Sequence, residues 1–278
     1  MRRLLLMLSV LLGAPALADP AACGGEVACE IDGGSYHLLL PDAWLGGPAV
    51  IHLHGLGGSG ARGTKNTGLV ETVTGRGYAL ILPSGEPWLE LASQPTDWAV
   101  RDGTTGRRDD IAFLRAVLDD AAARAGIDRG RVLMTGFSRG GSMVWDVACH
   151  APGTAAAYAP AAGGFWKPLP ESCTGPVRMQ HSHGFTDGVV PLEGRRIPIE
   201  TPVITQGDIF AGLQIWRRTI GCGSKADGHE IDGPLWRKRW TKCAAGGSLE
   251  LILHAGGHGP APGWMATAID WFEGAPKG

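Results

Sequence analysis

One serine lies in a pattern that could perform nucleophilic chemistry on a carbonyl group. Ser138 stands in Gly136-Phe137-Ser138-Arg139-Gly140, between a run typical of a strand and a run typical of a helix. In that context a GxSxG pattern forms a sharp turn that pushes the serine Oγ out of the sheet, and the residues two positions away have to be small. We therefore predict that Ser138 is a nucleophile.

A serine hydroxyl needs a base to accept its proton and an acid to orient that base. Asp187 follows the strand-like run Val177 to Gln180, and His258 lies in a glycine-rich loop after the strand-like run Leu249 to Leu253. The order serine, acid, histidine is the order that this type of strand-turn-helix site requires. We predict Asp187 as the acid and His258 as the base.

Other residues compete for these two roles. Asp146 falls in the helix-like run just after Ser138, and Asp208 begins another helix-like run. His254 lies at the end of its predicted strand, where a packed or hydrogen-bonded histidine is expected. None of the three is as well placed as Asp187 or His258.

Acyl chemistry also requires backbone N–H groups that stabilise the negative charge developing on the carbonyl oxygen. One such donor belongs to the residue after the nucleophile, which is Arg139, and the other to the loop after an early strand. The run Val50 to Gly58 supplies that strand and loop. Leu56 is the predicted second donor.

The elements that must position these residues alternate between strand-like and helix-like patterns. The stretch Asp109 to Arg124 carries apolar residues at helical spacing, Gly126 ends it, and we interpret Asp109 and Asp110 as capping residues. Alternation of this kind predicts an α/β protein of the α/β-hydrolase fold, with a mainly parallel central sheet and helices on both faces. The predicted strands are 35–40, 49–53, 78–82, 131–135, 155–159, 177–180 and 249–253.

The first 18 residues have the layout of a secretory signal peptide, with Arg2 and Arg3, a short apolar run and Ala16-Leu17-Ala18. We expect residues 19–278 to form a single catalytic domain that is secreted or periplasmic, with no membrane partner, and we expect a monomer. Without the two arginines, 23 basic residues stand against 27 acidic ones, a formal charge of −4. No basic patch indicates a nucleic-acid partner.

Six cysteines in an exported chain predict three disulfides, because the count is even and the compartment oxidising. Fifteen pairings are possible and the sequence does not choose among them; pairing of nearest neighbours is our expectation. A structural zinc site would need closer spacing than these residues have. The cysteines are Cys23, Cys29, Cys149, Cys173, Cys222 and Cys243.

Two other classes of function are alternatives to a serine hydrolase. His52 with His54, and His181 with His183, alternate along predicted strands and suggest a metallohydrolase, but no H-E-x-x-H pattern accompanies them, and we predict no metal or other cofactor. A non-catalytic binding protein on the same fold is the other alternative. Tryptophans in loops near predicted strand ends are candidate substrate contacts, and we name Trp98, Trp166 and Trp264.

Several of these motifs together resemble the secreted polyhydroxybutyrate depolymerase family, which also contains feruloyl and acetyl xylan esterases. The resemblance extends from about Cys23 to Trp271. It is carried by His54-Gly55, Asp109 to Phe113, Gly136 to Gly141, His183-Gly184 with Asp187 and Pro191, and Gly256-Gly257-His258. It implies an α/β-hydrolase with Ser138, Asp187 and His258 as catalytic residues. It also implies the disulfides Cys149–Cys173 and Cys222–Cys243.

The resemblance makes an ester the expected substrate, with hydroxyalkanoate oligomers first and feruloylated or acetylated plant polysaccharides as the alternative. No linker and extra binding domain follow the catalytic residues, so we expect action on oligomers rather than crystalline polymer. Only about 15 residues separate the strands at 155 and 177, which leaves no room for a large lid and predicts an open cleft. Because a histidine base must be neutral, activity is expected to fall below roughly pH 6 to 7.

Overall fold

A computed structural model describes residues 23–89, 93–101, 107–197, 204–244 and 246–274. The predicted signal peptide at residues 1–18 lies outside this range. The strands are β1 Cys29–Ile31, β2 Gly34–Leu39, β3 Gly47–Leu53, β4 Ala79–Pro83, β5 Glu86–Pro87, β6 Thr96–Asp97, β7 Ile127–Phe137, β8 Ala157–Ala161, β9 Arg178–Gly184, β10 Arg195–Ile197, β11 Ile204–Gln206, β12 Gly228–Asp232, β13 Leu235–Trp240 and β14 Ser248–His254. The helices are α1 Gly60–Gly63, α2 Thr67–Thr74, α3 Asp110–Ala125, α4 Arg139–His150, α5 Ile209–Thr219 and α6 Trp264–Glu273.

Ten of the strands form one sheet in the order β1-β2-β4-β3-β7-β8-β9-β14-β13-β12. The six strands from β4 to β14 run parallel, and antiparallel strands extend the sheet at both edges. The parallel strands β4 and β8 are apolar and buried on both faces, as expected of strands covered by helices on each side. β9 is also buried, although most of its residues are polar. Apolar side chains of α3, α4 and α5 join the core on one face, and those of α2 and α6 join the core on the other. The predicted α/β-hydrolase architecture is confirmed.

All seven predicted strands are present, although their ends differ by up to a few residues. The helix predicted at 109–124 is α3, and Asp109 caps it by accepting a hydrogen bond from the Ala112 amide at 3.1 Å. Asp110 does more than cap: it is buried and accepts hydrogen bonds from the Ala99 amide and Arg108 Nε, each at 2.6 Å. Burial raises the pKa of the Asp110 carboxyl above its usual value. Asp110 therefore anchors the loop that follows β6.

The hairpin of β12 and β13 has no counterpart among the predicted strands. Five of its eleven strand residues are charged, as is common at the edge of a sheet, where the outer strand meets solvent. The alternation of apolar and polar residues from which a strand is predicted is weak in such a segment.

Three disulfides pair nearest neighbours, as expected: Cys23–Cys29, Cys149–Cys173 and Cys222–Cys243. The second joins the end of α4 to the loop before β9, and the third joins the segment after α5 to the segment before β14. Within the described ranges, none of the helices has the length and apolar character needed to cross a bilayer.

The turn between β7 and α4 is tightly packed. Ser138 has φ 56° and ψ −120°, a conformation that costs energy for any residue with a side chain. Gly140 lies directly under the end of β3, so close that a Cβ there would stand 2.1 Å from the Leu53 carbonyl oxygen. The backbones of β3 and α4 can approach in this way only if residue 140 is glycine.

We expect the substitution Gly140→Ala to lower the free energy of unfolding by more than the roughly 1–3 kcal/mol typical of overpacking, because the neighbouring atoms are backbone and cannot turn aside. The matched control is Gly153→Ala, since nothing lies within 4 Å of a Cβ at that position. Urea unfolding of the two variants measures the difference. Equal stability of the two would show that β3 and α4 are not in this contact.

Candidate active site

The three residues predicted for catalysis follow three parallel strands at the same edge of the sheet. Ser138 follows β7, Asp187 lies three residues after β9, and His258 lies four residues after β14. β9 and β14 are neighbours, and β8 separates β9 from β7. Because parallel strands end at one edge, the loops that carry these side chains are brought together.

The imidazole of His258 bridges the other two side chains. Its Nε2 lies 3.0 Å from Ser138 Oγ and its Nδ1 lies 2.9 Å from Asp187 Oδ2. An ionised carboxylate only accepts, so Nδ1 carries the proton and Nε2 accepts from the serine hydroxyl. Ser138 is partly exposed and the His258 side chain is 18% exposed, whereas the Asp187 side chain is fully buried. The serine is thus reachable from solvent and the carboxylate is not.

The competing residues lie elsewhere. Asp208 caps α5 by accepting from the Ala211 amide at 2.8 Å, and Asp146, buried in α4, accepts from the Arg101 amide at 2.7 Å. The structure therefore brings Asp187, and neither of these two residues, to His258.

The loops after β9 and β14 are bonded to each other. The Phe185 amide donates to the His254 carbonyl at 2.7 Å, and the Thr186 amide donates to the Gly256 carbonyl at 3.1 Å. Gly184 packs so closely that a Cβ there would lie 2.1 Å from the Gly257 carbonyl oxygen. These contacts continue the β9–β14 pairing past the strand ends and fix the separation of Asp187 and His258.

His254 shapes the loop that carries His258. Its Nδ1 accepts a hydrogen bond from the Gly256 amide at 3.2 Å, so its Nε2 carries the proton and donates to the Gly259 carbonyl at 3.1 Å. Burial lowers the pKa of His254, which keeps the ring neutral in this role. The expectation that His254 is a hydrogen-bonded histidine of the strand end agrees with these contacts.

The Asp187 carboxylate is buried but well supplied with donors. Burial raises its pKa, but hydrogen bonds from His183, His258 and the amides of Val190 and Val189 outweigh that effect, so the pKa lies below its usual value. Oδ1 accepts from the Val189 amide at 2.9 Å and from the Val190 amide at 2.8 Å. The carboxylate consequently stays charged at neutral pH and can orient His258.

Arg139, predicted as an oxyanion donor through its backbone, also holds its side chain in a buried ion pair. Its guanidinium reaches the fully buried Asp97 in a bidentate arrangement, with Nε 2.7 Å from Oδ1 and one terminal nitrogen 2.6 Å from Oδ2. Arg107 donates to the same carboxylate at 3.0 Å. This pair fixes the first residue of α4 against the loop around β6.

The loop that contains Leu56 lies against the serine. A Cβ on Gly55 would stand 3.3 Å from Ser138 Cβ, and Leu56 is the next residue. Arg139 is the first residue of α4, where backbone N–H groups lack partners within the helix. Both predicted oxyanion donors therefore lie in segments beside Ser138.

The three tryptophans named as substrate contacts differ from expectation. Trp98 has no exposed surface and donates from Nε1 to the His54 carbonyl at 2.8 Å, so it is a core residue and cannot touch a substrate in this arrangement. Trp166 is 6% exposed and donates to Ser142 Oγ at 3.2 Å, with the Arg139 guanidinium 4.5 Å from its ring centre. Large aromatic side chains near strand ends pack inward here because the core extends to that edge.

Trp264 is the first residue of α6 rather than part of a loop, and it is 7% exposed. It lines a cleft of about 450 Å³ between α2 and the loop before α6. Phe137 lines the same cleft and packs against His258, with ring centres 4.9 Å apart. Trp264 thus borders a cleft next to the site.

The histidine pairs that suggested a metal are engaged in hydrogen bonds. His54 accepts from the Gly85 amide at 2.9 Å, His52 bonds Thr135 Oγ1 at 3.0 Å, and His181 Nε2 lies 3.0 Å from His183 Nδ1. Across the described part of the chain, no three His, Cys, Asp or Glu side chains are grouped to hold a metal ion.

Sequence reasoning missed Asp97 and His183 as supports of the site. His183 lies beside Asp187 and could have been found from its position two residues after His181 on the strand that leads to the acid. Asp97 has no such signal, because its partner Arg139 is 42 residues away in the sequence.

Comparison with known proteins gives relatives among esterases, and no family description matches the chain. NocK of Nocardia uniformis subsp. tsuyamanensis, named as an esterase, is 33% identical over 163 residues, which are 57% of this chain and 46% of that protein. The chain thus matches just under half of the length of this relative. Feruloyl esterase C of Emericella nidulans is 25% identical over 273 residues, 91% of this chain and 88% of that enzyme.

Among solved structures, the acetyl xylan esterase of Aspergillus awamori superposes with a TM-score of 0.61 at 14% identity, covering 87% of this chain and 95% of the other. At that identity the likeness concerns the fold. The chain is therefore an α/β-hydrolase by fold, and the relatives that it resembles are esterases.

Proposed function

We propose that this protein is a serine hydrolase of carboxylic esters that works through an acyl-enzyme. The observation that supports the proposal is the single imidazole of His258, held within hydrogen-bonding distance of both the Ser138 hydroxyl and the Asp187 carboxylate. Nucleophile, base and orienting acid in this arrangement are the requirements for acyl transfer. The esterase relatives point to the same reaction.

In the proposed reaction, His258 Nε2 takes the hydroxyl proton as Ser138 Oγ attacks the ester carbonyl carbon. The charge on the resulting oxyanion is stabilised by the backbone N–H groups of Arg139 and Leu56. His258 then gives its proton to the leaving alcohol, and the acyl group stays on Ser138. A water molecule, deprotonated by the same imidazole, releases the acid and restores the serine.

Asp187 acts by orientation and charge. Its low pKa keeps it ionised, so it stabilises the protonated imidazole that forms in each half-reaction. No cofactor enters these steps.

Exposed apolar side chains stand in the segments that carry the proposed site and favour an ester with an apolar group. Leu56 follows the glycine beside Ser138, and Phe185 and Val189 flank Asp187 in sequence; their exposed fractions are 50%, 57% and 46%. Phe185 also packs edge-on against Trp236, with ring centres 5.8 Å apart. In the part of the chain that the structure describes, these exposed side chains offer an apolar surface for such a group.

For the natural substrate, we favour feruloyl or acetyl esters of plant polysaccharides, because the relatives matched over most of the chain are feruloyl esterases. This reverses the order expected from the sequence, which placed hydroxyalkanoate oligomers first. Those oligomers are the second candidate, and the exposed apolar surface suits them equally.

We further propose that residues 1–18 direct export and that residues 19–278 act as one catalytic domain, secreted or periplasmic. Three disulfides support an oxidising compartment.

Replacing the nucleophile tests the mechanism. We expect Ser138→Ala to lower kcat for p-nitrophenyl acetate by at least about a thousandfold, because no other group can form the acyl-enzyme. The control Ser224→Ala, at an exposed serine in the segment between α5 and β12, should leave kcat unchanged. Activity that survives in Ser138→Ala would assign the reaction to another residue.

A panel of esters tests the substrate class. We expect methyl ferulate and acetylated xylan to be hydrolysed with higher kcat/KM than hydroxybutyrate dimers. Among p-nitrophenyl esters, kcat/KM should fall for acyl chains longer than about ten carbons, because an open surface cannot enclose them. Preference for the dimers would favour the second candidate, and preference for long acyl chains would contradict the open cleft.

A further inference from the structure

A line of buried hydrogen bonds runs from the nucleophile helix to the acid. Trp145 in α4 donates from Nε1 to His181 Nδ1 at 3.3 Å, and His181 Nε2 lies 3.0 Å from His183 Nδ1. His183 Nε2 lies 2.8 Å from the Val190 carbonyl oxygen and 3.4 Å from Asp187 Oδ2. Trp145, His181 and His183 have no exposed surface. Water therefore does not compete for these bonds.

Each end of the line independently places the ring proton of its neighbouring histidine on Nε2. An indole N–H only donates, so His181 accepts at Nδ1 and carries its proton on Nε2. At the other end, the Val190 carbonyl and the Asp187 carboxylate only accept, so His183 carries its proton on Nε2. His183 Nδ1 is then free to accept from His181 Nε2, and every donor in the line meets an acceptor.

A proton added to either ring would break this line. A proton on His181 Nδ1 would face the N–H of Trp145, and a proton on His183 Nδ1 would face the N–H of His181. Burial lowers the pKa of His181 well below its usual value, and the neighbouring His183 lowers it further. The titratable groups that face the pair are Asp187 and His258 in the two loops, and His254 at the end of β14. His183 thus presents a fixed donor, its Nε2–H, to the acid loop.

We propose that His183, aligned by His181 and Trp145, is a positioning residue that fixes the Asp187 carboxylate for His258. His183 approaches Oδ2, the oxygen that also accepts from His258, while the backbone amides hold Oδ1. Val190 is held from both sides, since its carbonyl accepts from His183 and its amide donates to Asp187. The inference rests on the proposed function, because it assigns His183 a task only if Asp187 orients the base.

The variant His183→Phe keeps a ring in the core and removes the donor. We expect kcat to fall about tenfold to a hundredfold with little change in KM, as misplacement of a catalytic group by about 1 Å produces. The acid limb of the kcat/KM profile should move to higher pH, because a carboxylate with one donor fewer attracts the protonated His258 more strongly. A merely structural role would lower stability without moving the acid limb.

Two further variants sharpen the comparison. His183→Gln retains an N–H donor near the position of Nε2 and should recover much of the lost kcat and return the acid limb toward that of the wild type. His229→Phe, at an exposed position on β12, should match the wild type in both. Wild-type kcat and acid limb in folded His183→Phe would overturn the proposal.

A readout independent of turnover separates this inference from the proposed function. Ring ¹⁵N–¹H correlation spectra of the intact protein at neutral pH should show the proton of both His181 and His183 on Nε2, as their hydrogen bonds require. A proton on Nδ1 of either ring overturns the positioning line. Failure of the wild type to hydrolyse any ester would instead overturn the proposed function, whatever the spectra show.

Discussion

The parallel pairing of β9 with β14 is the constraint on which the site depends. Seven residue pairs from Ser248 with Arg178 to His254 with Gly184 keep the two strands in register up to their ends. The loops then stay bonded through the amides of Phe185 and Thr186, so these backbone contacts set the separation of the two loops that carry Asp187 and His258. A shift of one residue in this register would turn the side chains of the whole strand to the opposite face. The separation of acid and base is thus a property of the sheet.

Two carboxylates are buried at this edge of the sheet. Asp187 and Asp97 are both fully buried carboxylates, and each is compensated differently. Asp187 receives neutral donors, namely two amides and two imidazoles, whereas Asp97 is paired with the cations Arg139 and Arg107. A carboxylate held by neutral donors keeps its charge available to an imidazole that becomes positive, and one already paired with guanidinium groups does not. Asp97 accordingly supports the turn, and Asp187 is suited to catalysis.

Much of this arrangement could be predicted from the sequence. Most of the parallel strands contain short apolar runs, and the turn around Ser138 has a glycine on each side, so β7, β14 and the three predicted catalytic residues could be found. Only the first part of β9 was predicted, because most of its residues are polar. The hairpin of β12 and β13 was not, because its edge position makes its composition polar. The burial of the three tryptophans was not foreseen, because local sequence does not show whether an aromatic ring near a strand end faces solvent or the core. Asp97 and Trp145 were missed because their partners, Arg139 and His181, are distant in sequence and adjacent only after folding.

Under the proposed function, His258 activates Ser138 for attack on the ester. Labelling of the intact protein with a fluorophosphonate, followed by mass spectrometry of its peptides, identifies the reactive serine, because such reagents react readily with a serine made nucleophilic by a neighbouring base. We expect a single phosphonyl group on the peptide that contains Ser138, and no labelling in His258→Ala. Label on another residue, or labelling of Ser138 that persists without His258, would show that this activation is wrong.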